Sequence, residues 1–109
     1  MRLTFLFQHV DDLDAAVAFH RDVLGWGETW REGSDTVAFA IPGGDVEVML
    51  STDPGADGPM YLVDDVDEWL AAHPEVEVVN PKSPIPGGSV VEVATATGSA
   101  FYVFEMLGA

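Results

Sequence analysis

Two stretches of one pattern decide the fold: HVDDLDAAVAFHRDVLGWG at residues 9–27 and LVDDVDEWLAAH at residues 62–73. Each reads as the end of a strand, an acidic cap and an amphipathic helix. In the first, Asp11 and Asp12 can accept the orphan N–H groups of a first helical turn and oppose its positive dipole end. Leu13, Ala16, Val17, His20 and the pair Val23/Leu24 recur at helical spacing, so one stripe must face a core. Arg21 near the C-terminal end suits the dipole, and Gly25 fits a left-handed residue just past the helix. In the second stretch Asp64 and Asp65 cap a helix over 66–73, His73 suits its C-terminal end, Trp69 is a core residue, and Pro74 stops it.

Working outward, both copies sit in the same succession of elements. Residues 3–10 alternate, with Leu3, Phe5, Phe7 and His9 on one face and Thr4, Leu6, Gln8 and Val10 on the other. Residues 26–32 and 36–41 are rich in β-formers and flank Gly33-Ser34-Asp35, a hairpin signal. Residues 46–50 (VEVML) follow a Pro-Gly-Gly-Asp turn. After the helix at 66–73, the second half offers strands at 75–79, 89–95 and 101–106, with a Pro/Gly-rich loop at 81–88 and an opening strand at 60–63. The expected organisation is α+β: a first βαβββ module over 1–51, a linker over 52–58, and a second βαβββ module over 59–109. One such unit leaves a sheet face bare, so two must pair to bury it.

Composition limits the function classes. The chain has 109 residues, enough for one domain, and 48% hydrophobic content, enough for a core. It has no Cys, which removes disulfides and thiolate metal sites. Nineteen acids against four bases (Arg2, Arg21, Arg31, Lys82) give a net charge of −15. Such a surface repels phosphate backbones, so nucleic acid is not an expected partner. It favours cationic ligands through its long-range field, and it equally keeps a protein soluble or suits a high-salt habitat. No run of eighteen apolar residues and no signal-peptide pattern is present, so no membrane partner and a cytoplasmic location are expected.

The first stretch resembles the opening of the glyoxalase, bleomycin-resistance and extradiol dioxygenase superfamily, the vicinal oxygen chelate proteins. Val10-Asp11-Asp12-Leu13, Ala16, Phe19 and Leu24-Gly25 carry the likeness, with His20 where Tyr is common. GGDVEVML (43–50), VDDVDEW (63–69) and ATATGSAFYVFEM (94–106) follow in the family's order. The resemblance implies an eight-stranded, cup-shaped mixed sheet with one helix per module and ligands held inside the cup. It places the family's four metal-ligand positions on Phe5, Glu47, Gly58 or Pro59, and Tyr102. Only Glu47 among these is a good donor for a divalent ion, so no metal and no other cofactor is expected.

What remains is an aromatic cup with one acid. The expected ligand-binding residues are Phe5, Phe7, His9, Trp30, Phe39, Glu47, Met49, Met60, Tyr102 and Phe104. Aromatic walls stack on flat ligands and attract cations over their faces, Met adds an adaptable surface, and Glu47 can pair with an amine or guanidinium. The same rings equally suit a closed core. The resemblance implies a metal-free protein that sequesters an aromatic or cationic, antibiotic-like molecule. Two other readings stand beside it: an enzyme with a displaced metal site near His9 or with Glu47 as general base, and an accessory binding protein in a biosynthetic pathway. Exposed sheet edges make a homodimer the expected assembly.

Overall fold

The computed structural model describes residues 1–107. The chain is α+β and divides into two compact units, Thr4–Asp57 and the chain from Gly58 on, with Met1–Leu3 grouped with the latter. Each unit carries four strands and one helical segment, the βαβββ order the sequence echo predicts.

In the first module β1 (Arg2–His9) leads into α1 (Leu13–Ala18), then β2 (Glu28–Glu32), β3 (Thr36–Ala40) and β4 (Glu47–Ser51). The spatial order is β2-β3-β4-β1, with β1 parallel to β4 and the other pairs antiparallel. The helix starts as its sequence dictates: Asp12 is the N-cap and its carboxylate accepts the Ala15 N–H at 3.0 Å. It does not run on as α-helix, because residues Phe19–Val23 form a π-helical turn. His20 Nδ1 donates to the Ala16 carbonyl at 2.8 Å within that turn. Gly25 then takes φ of 73°, closing the segment in the left-handed conformation expected of it. The helix lays Val17 on Val37, Phe39, Val48 and Leu50, with Leu13, Ala16 and Trp26 packed at the margin. Trp26 therefore belongs to this core, edge-on to His20 at 5.5 Å, and does not begin a strand.

In the second module β5 (Gly58–Leu62) is followed by α2 (Val66–Ala72), β6 (Glu77–Ile85), β7 (Gly88–Ala94) and β8 (Ala100–Met106), in spatial order β5-β8-β7-β6. Asp65 caps α2 by accepting the Glu68 N–H at 2.9 Å. A second carboxylate helps: Glu105, almost wholly buried on β8, accepts the Val66 N–H at 2.6 Å. Charge at that point offsets both an orphan donor and the positive helix end. Val63, Val66, Val91, Val93 and Val103 form the core beneath α2, with Trp69, Leu70 and Phe101 against it.

The stretch 81–88, expected as a loop, is corrected by the structure. Strand β6 runs to Ile85 and pairs antiparallel with β7 across two irregularities, between Val78 and Asn80 and between Asn80 and Ser83. Pro81 and Pro84 point to a loop in sequence, since proline argues against a central strand. In this module's order β6 is the outermost strand, where missing N–H groups are tolerated, and the bulges absorb the rest.

Candidate functional site

Residues directly opposite in a ladder share a sheet face, so the register assigns every candidate. Phe5 pairs with Glu47, Phe7 with Met49 and His9 with Ser51. Glu47 in turn pairs with Ala40, Met49 with Ala38, and Ala38 with Trp30. Phe5, Phe7, Trp30, Glu47 and Met49 thus share the face of the first module turned away from α1. Phe39 does not. It pairs with Val48, is fully buried under the helix, and lies against the His20 ring at 5.5 Å. Phe39, expected as a ligand contact, thus lies on the helix side of β3, because a step of one residue along a strand exchanges faces.

On the helix-free face the central feature is Glu47. Its Oε1 accepts two hydrogen bonds from β2, one from Thr29 Oγ1 at 2.8 Å and one from Trp30 Nε1 at 3.2 Å. Two adjacent residues of a regular strand point to opposite faces. Here the ladder steps from Glu28↔Phe39 to Trp30↔Ala38, so Thr29 is the extra residue of a β-bulge and can reach the same carboxylate as Trp30. Ala38 and Ala40 on the intervening strand are small enough to be bridged. The Phe5 ring meets Trp30 edge-on at 5.8 Å and 82°. The result is a half-buried carboxylate oriented by two neutral donors and flanked by two rings. Thr29 carried no sequence signal of its own, because a bulge is a register event.

Glu47 makes no ion pair among the described residues. Three of the four basic side chains are engaged elsewhere: Arg21 with Asp22, Arg31 with Glu28 and Lys82 with Asp67, each within 2.9 Å. No hydrogen bond reaches Glu47 Oε2, and no buried side-chain oxygen among the described residues is left without a partner. Oε2 is therefore reached by solvent and open to a ligand.

His9 is placed at the end of β1, but both of its ring nitrogens are occupied. Nδ1 meets the Asp53 carbonyl at 2.9 Å and Nε2 meets Asp11 Oδ1 at 3.2 Å, while its backbone N–H donates to Asp57 Oδ1 at 2.8 Å. A carbonyl and a carboxylate only accept, so these two contacts favour the imidazolium form of the ring, in which both nitrogens donate. His9 holds segment 52–57 against the strand end, with both ring nitrogens engaged by the protein itself. The Asp53 carbonyl foremost, then the Asp11 carboxylate, raises its pKa above the ordinary value. A raised folded-state pKa stabilises fully below the unfolded value, and the contribution fades as pH rises through the folded one. The melting-temperature gap between wild type and His9→Gln is expected to be largest in mild acid and to close at alkaline pH. A gap independent of pH would remove the imidazolium assignment.

In the second module Met60 pairs with Tyr102, Leu62 with Phe104, and both aromatic residues are buried. The pairing Met60↔Tyr102 is the counterpart of Phe5↔Glu47, so the register sets Met60, two residues past Gly58, opposite Tyr102. Gly58 lies where the backbones approach closely: a Cβ there would stand 2.6 Å from the Ala100 carbonyl oxygen. Neither pair by itself, Phe5 with Glu47 in the first module or Met60 with Tyr102 in the second, suits a hard divalent ion, which needs several oxygen or nitrogen donors. Among the described residues no group of three or more His, Asp or Glu side chains is arranged to hold a metal. No helix among them is long and apolar enough to cross a membrane.

Comparison with known proteins agrees with the geometry. The family described as bleomycin resistance protein-like N-terminal matches residues 2–27. A glyoxalase/bleomycin resistance protein/dioxygenase superfamily member from Vibrio splendidus superposes with a TM-score of 0.67 at 19% identity, covering 96% of this chain and 97% of that one. Methylmalonyl-CoA epimerase from Mycobacterium tuberculosis gives 0.66 at 20% identity, covering 96% and 87%. The structure described as an NAD-dependent benzaldehyde dehydrogenase from Legionella pneumophila gives 0.75 at 15%, covering 94% and 97%. At these identities the likeness is one of fold. No curated protein sequence matches the chain significantly.

Proposed function

We propose that this chain is a member of the glyoxalase/bleomycin resistance/dioxygenase superfamily that binds a small aromatic cation on the helix-free face of its first module and holds it without transforming it. Sequestration of an antibiotic-like molecule is the form of the activity we favour. The observation that carries the reading is Glu47: a carboxylate among rings, oriented by Thr29 and Trp30, with one oxygen open and no basic partner. A half-buried carboxylate without a counter-ion loses solvation it does not recover, and an incoming amine or amidine restores it. Phe5 and Trp30 supply the stacking surface and Met49 an adaptable floor. Met60, Tyr102 and Phe104 form the corresponding face of the second module. The chemistry of metal-dependent relatives finds no matching donor set here.

The test is titration of benzamidine, an aromatic cation, and benzamide, its neutral isostere, followed at the Trp30 indole N–H. Benzamidine should bind and benzamide much less. Glu47→Gln keeps shape and removes charge, and should cost about 1–3 kcal/mol of binding, roughly thirtyfold at the middle of that range. Equal binding of both probes, or an unaffected Glu47→Gln variant, would overturn the reading.

A further inference from the structure

The second module carries an acid that sequence reasoning passed over. Glu92 on β7 pairs with Tyr102, and Tyr102 pairs with Met60, so Glu92 lies on the helix-free face of its module. It is only 8% exposed. Its Oε1 accepts one hydrogen bond, from Asn80 Nδ2 on the outermost strand β6 at 2.7 Å. It has no ion pair among the described residues, and Oε2 receives no hydrogen bond. Since no buried side-chain oxygen there is unpartnered, Oε2 must be the part that solvent reaches.

The arrangement repeats that around Glu47 with the residues exchanged. In the first module the acid stands on β4 and a small residue, Ala40, faces it on β3. In the second the acid stands on β7 and Tyr102 faces it on β8. In both, the outermost strand supplies neutral donors to one carboxylate oxygen and leaves the other open: Thr29 and Trp30 in one, Asn80 in the other. Asn80 has spent one amide N–H on Glu92 Oε1, so the pair presents the remaining acceptor sites of the Glu92 carboxylate, Oε2 foremost. A carboxylate has about four acceptor sites and uses one here, so it can still take a planar fork of N–H donors, as in a guanidinium or amidinium, with a better match than a single ammonium point charge.

We infer that Glu92, positioned by Asn80, is a second cation-recognition point, selective for a guanidinium or amidinium group attached to an aromatic body. The inference deepens the proposed function and rests on it for the ligand class, but it uses a different module and a different reporter.

The experiment follows the Asn80 side-chain amide and the Trp30 indole N–H together by ¹⁵N-correlated NMR while phenylguanidine, benzylamine or benzamide is added to the full chain. Phenylguanidine should move the Asn80 amide, benzylamine should move it less, and benzamide should leave it still. Glu92→Gln retains an acceptor for Asn80 and should keep the spectrum of a folded protein. It should bind phenylguanidine about tenfold more weakly at Asn80 while leaving the Trp30 response intact. A Trp30 response without one at Asn80, or an Asn80 response unchanged in Glu92→Gln, overturns the inference and spares the proposed function. Asn80 following benzamide as well as phenylguanidine overturns charge recognition at Glu92. Silence at both reporters overturns both.

Discussion

Replacing Phe39 by Ala is expected to cost about 3–5 kcal/mol of stability and to leave cation binding at Glu47 unchanged. Phe39 is fully buried between Val37, Val48, Leu50 and Val17 and carries the His20 ring on its surface. Removing the ring leaves a cavity under a helix whose last turn is already π-helical, so little can collapse into it. Phe5→Ala should behave oppositely. Phe5 is half-buried on the other face, edge-on to Trp30, and its loss should weaken benzamidine binding by about 1–3 kcal/mol at a smaller cost in stability. Urea denaturation and benzamidine titration of both variants check the pair. If Phe39→Ala stayed as stable as wild type and lost the ligand, the face assignment of β3 would be reversed.

The contrast between these two rings shows how far the sequence could be read. Local signals were legible because each is written in a few adjacent residues. Asp12 and Asp65 cap the helices they precede, Gly25 takes the left-handed conformation, and the doubled strand–cap–helix pattern gives two βαβββ modules. Alternation alone sorted Phe5, Phe7, Met49, Tyr102 and Phe104 onto the helix-free faces, as the register bears out.

Register itself was not legible. A bulge at Thr29 brings two adjacent residues to one carboxylate, and nothing in ETWRE announces it. The family's spacing pointed to Gly58 or Pro59, while the ladder puts Met60 opposite Tyr102. Two prolines hid an outermost strand that tolerates them, and with it Asn80, the donor that orients Glu92. Glu92 in SVVEVAT looked like one acid among nineteen; its neighbours across the ladder, not along the chain, single it out. The engagement of His9 was hidden for a related reason, since the Asp53 carbonyl that occupies its ring lies 44 residues away.

Gly88→Ala should be among the most damaging small substitutions in the chain. A Cβ on Gly88 would fall 1.8 Å from the Glu105 carbonyl oxygen and 2.8 Å from its carbon. The obstacle is backbone, so no rotamer change relieves it and β7 and β8 must separate where Gly88 pairs with Met106. Overpacking ordinarily costs about 1–3 kcal/mol, and a rigid obstacle puts this site at the upper end or beyond. Two consequences travel outward. Glu105 would move, loosening its hold on the Val66 N–H and the start of α2. Further along the same ladder, Glu92 would lose its alignment with Tyr102, so phenylguanidine recognition at Asn80 should weaken along with stability. Gly44→Ala is the control, because nothing lies within 4 Å of its added Cβ and its backbone needs no positive φ. It should change stability by no more than about 0.5 kcal/mol. Matching urea midpoints for the two variants would show that β7 and β8 do not approach this closely. The alignment that sets Glu92 beside Tyr102 would then fall with them.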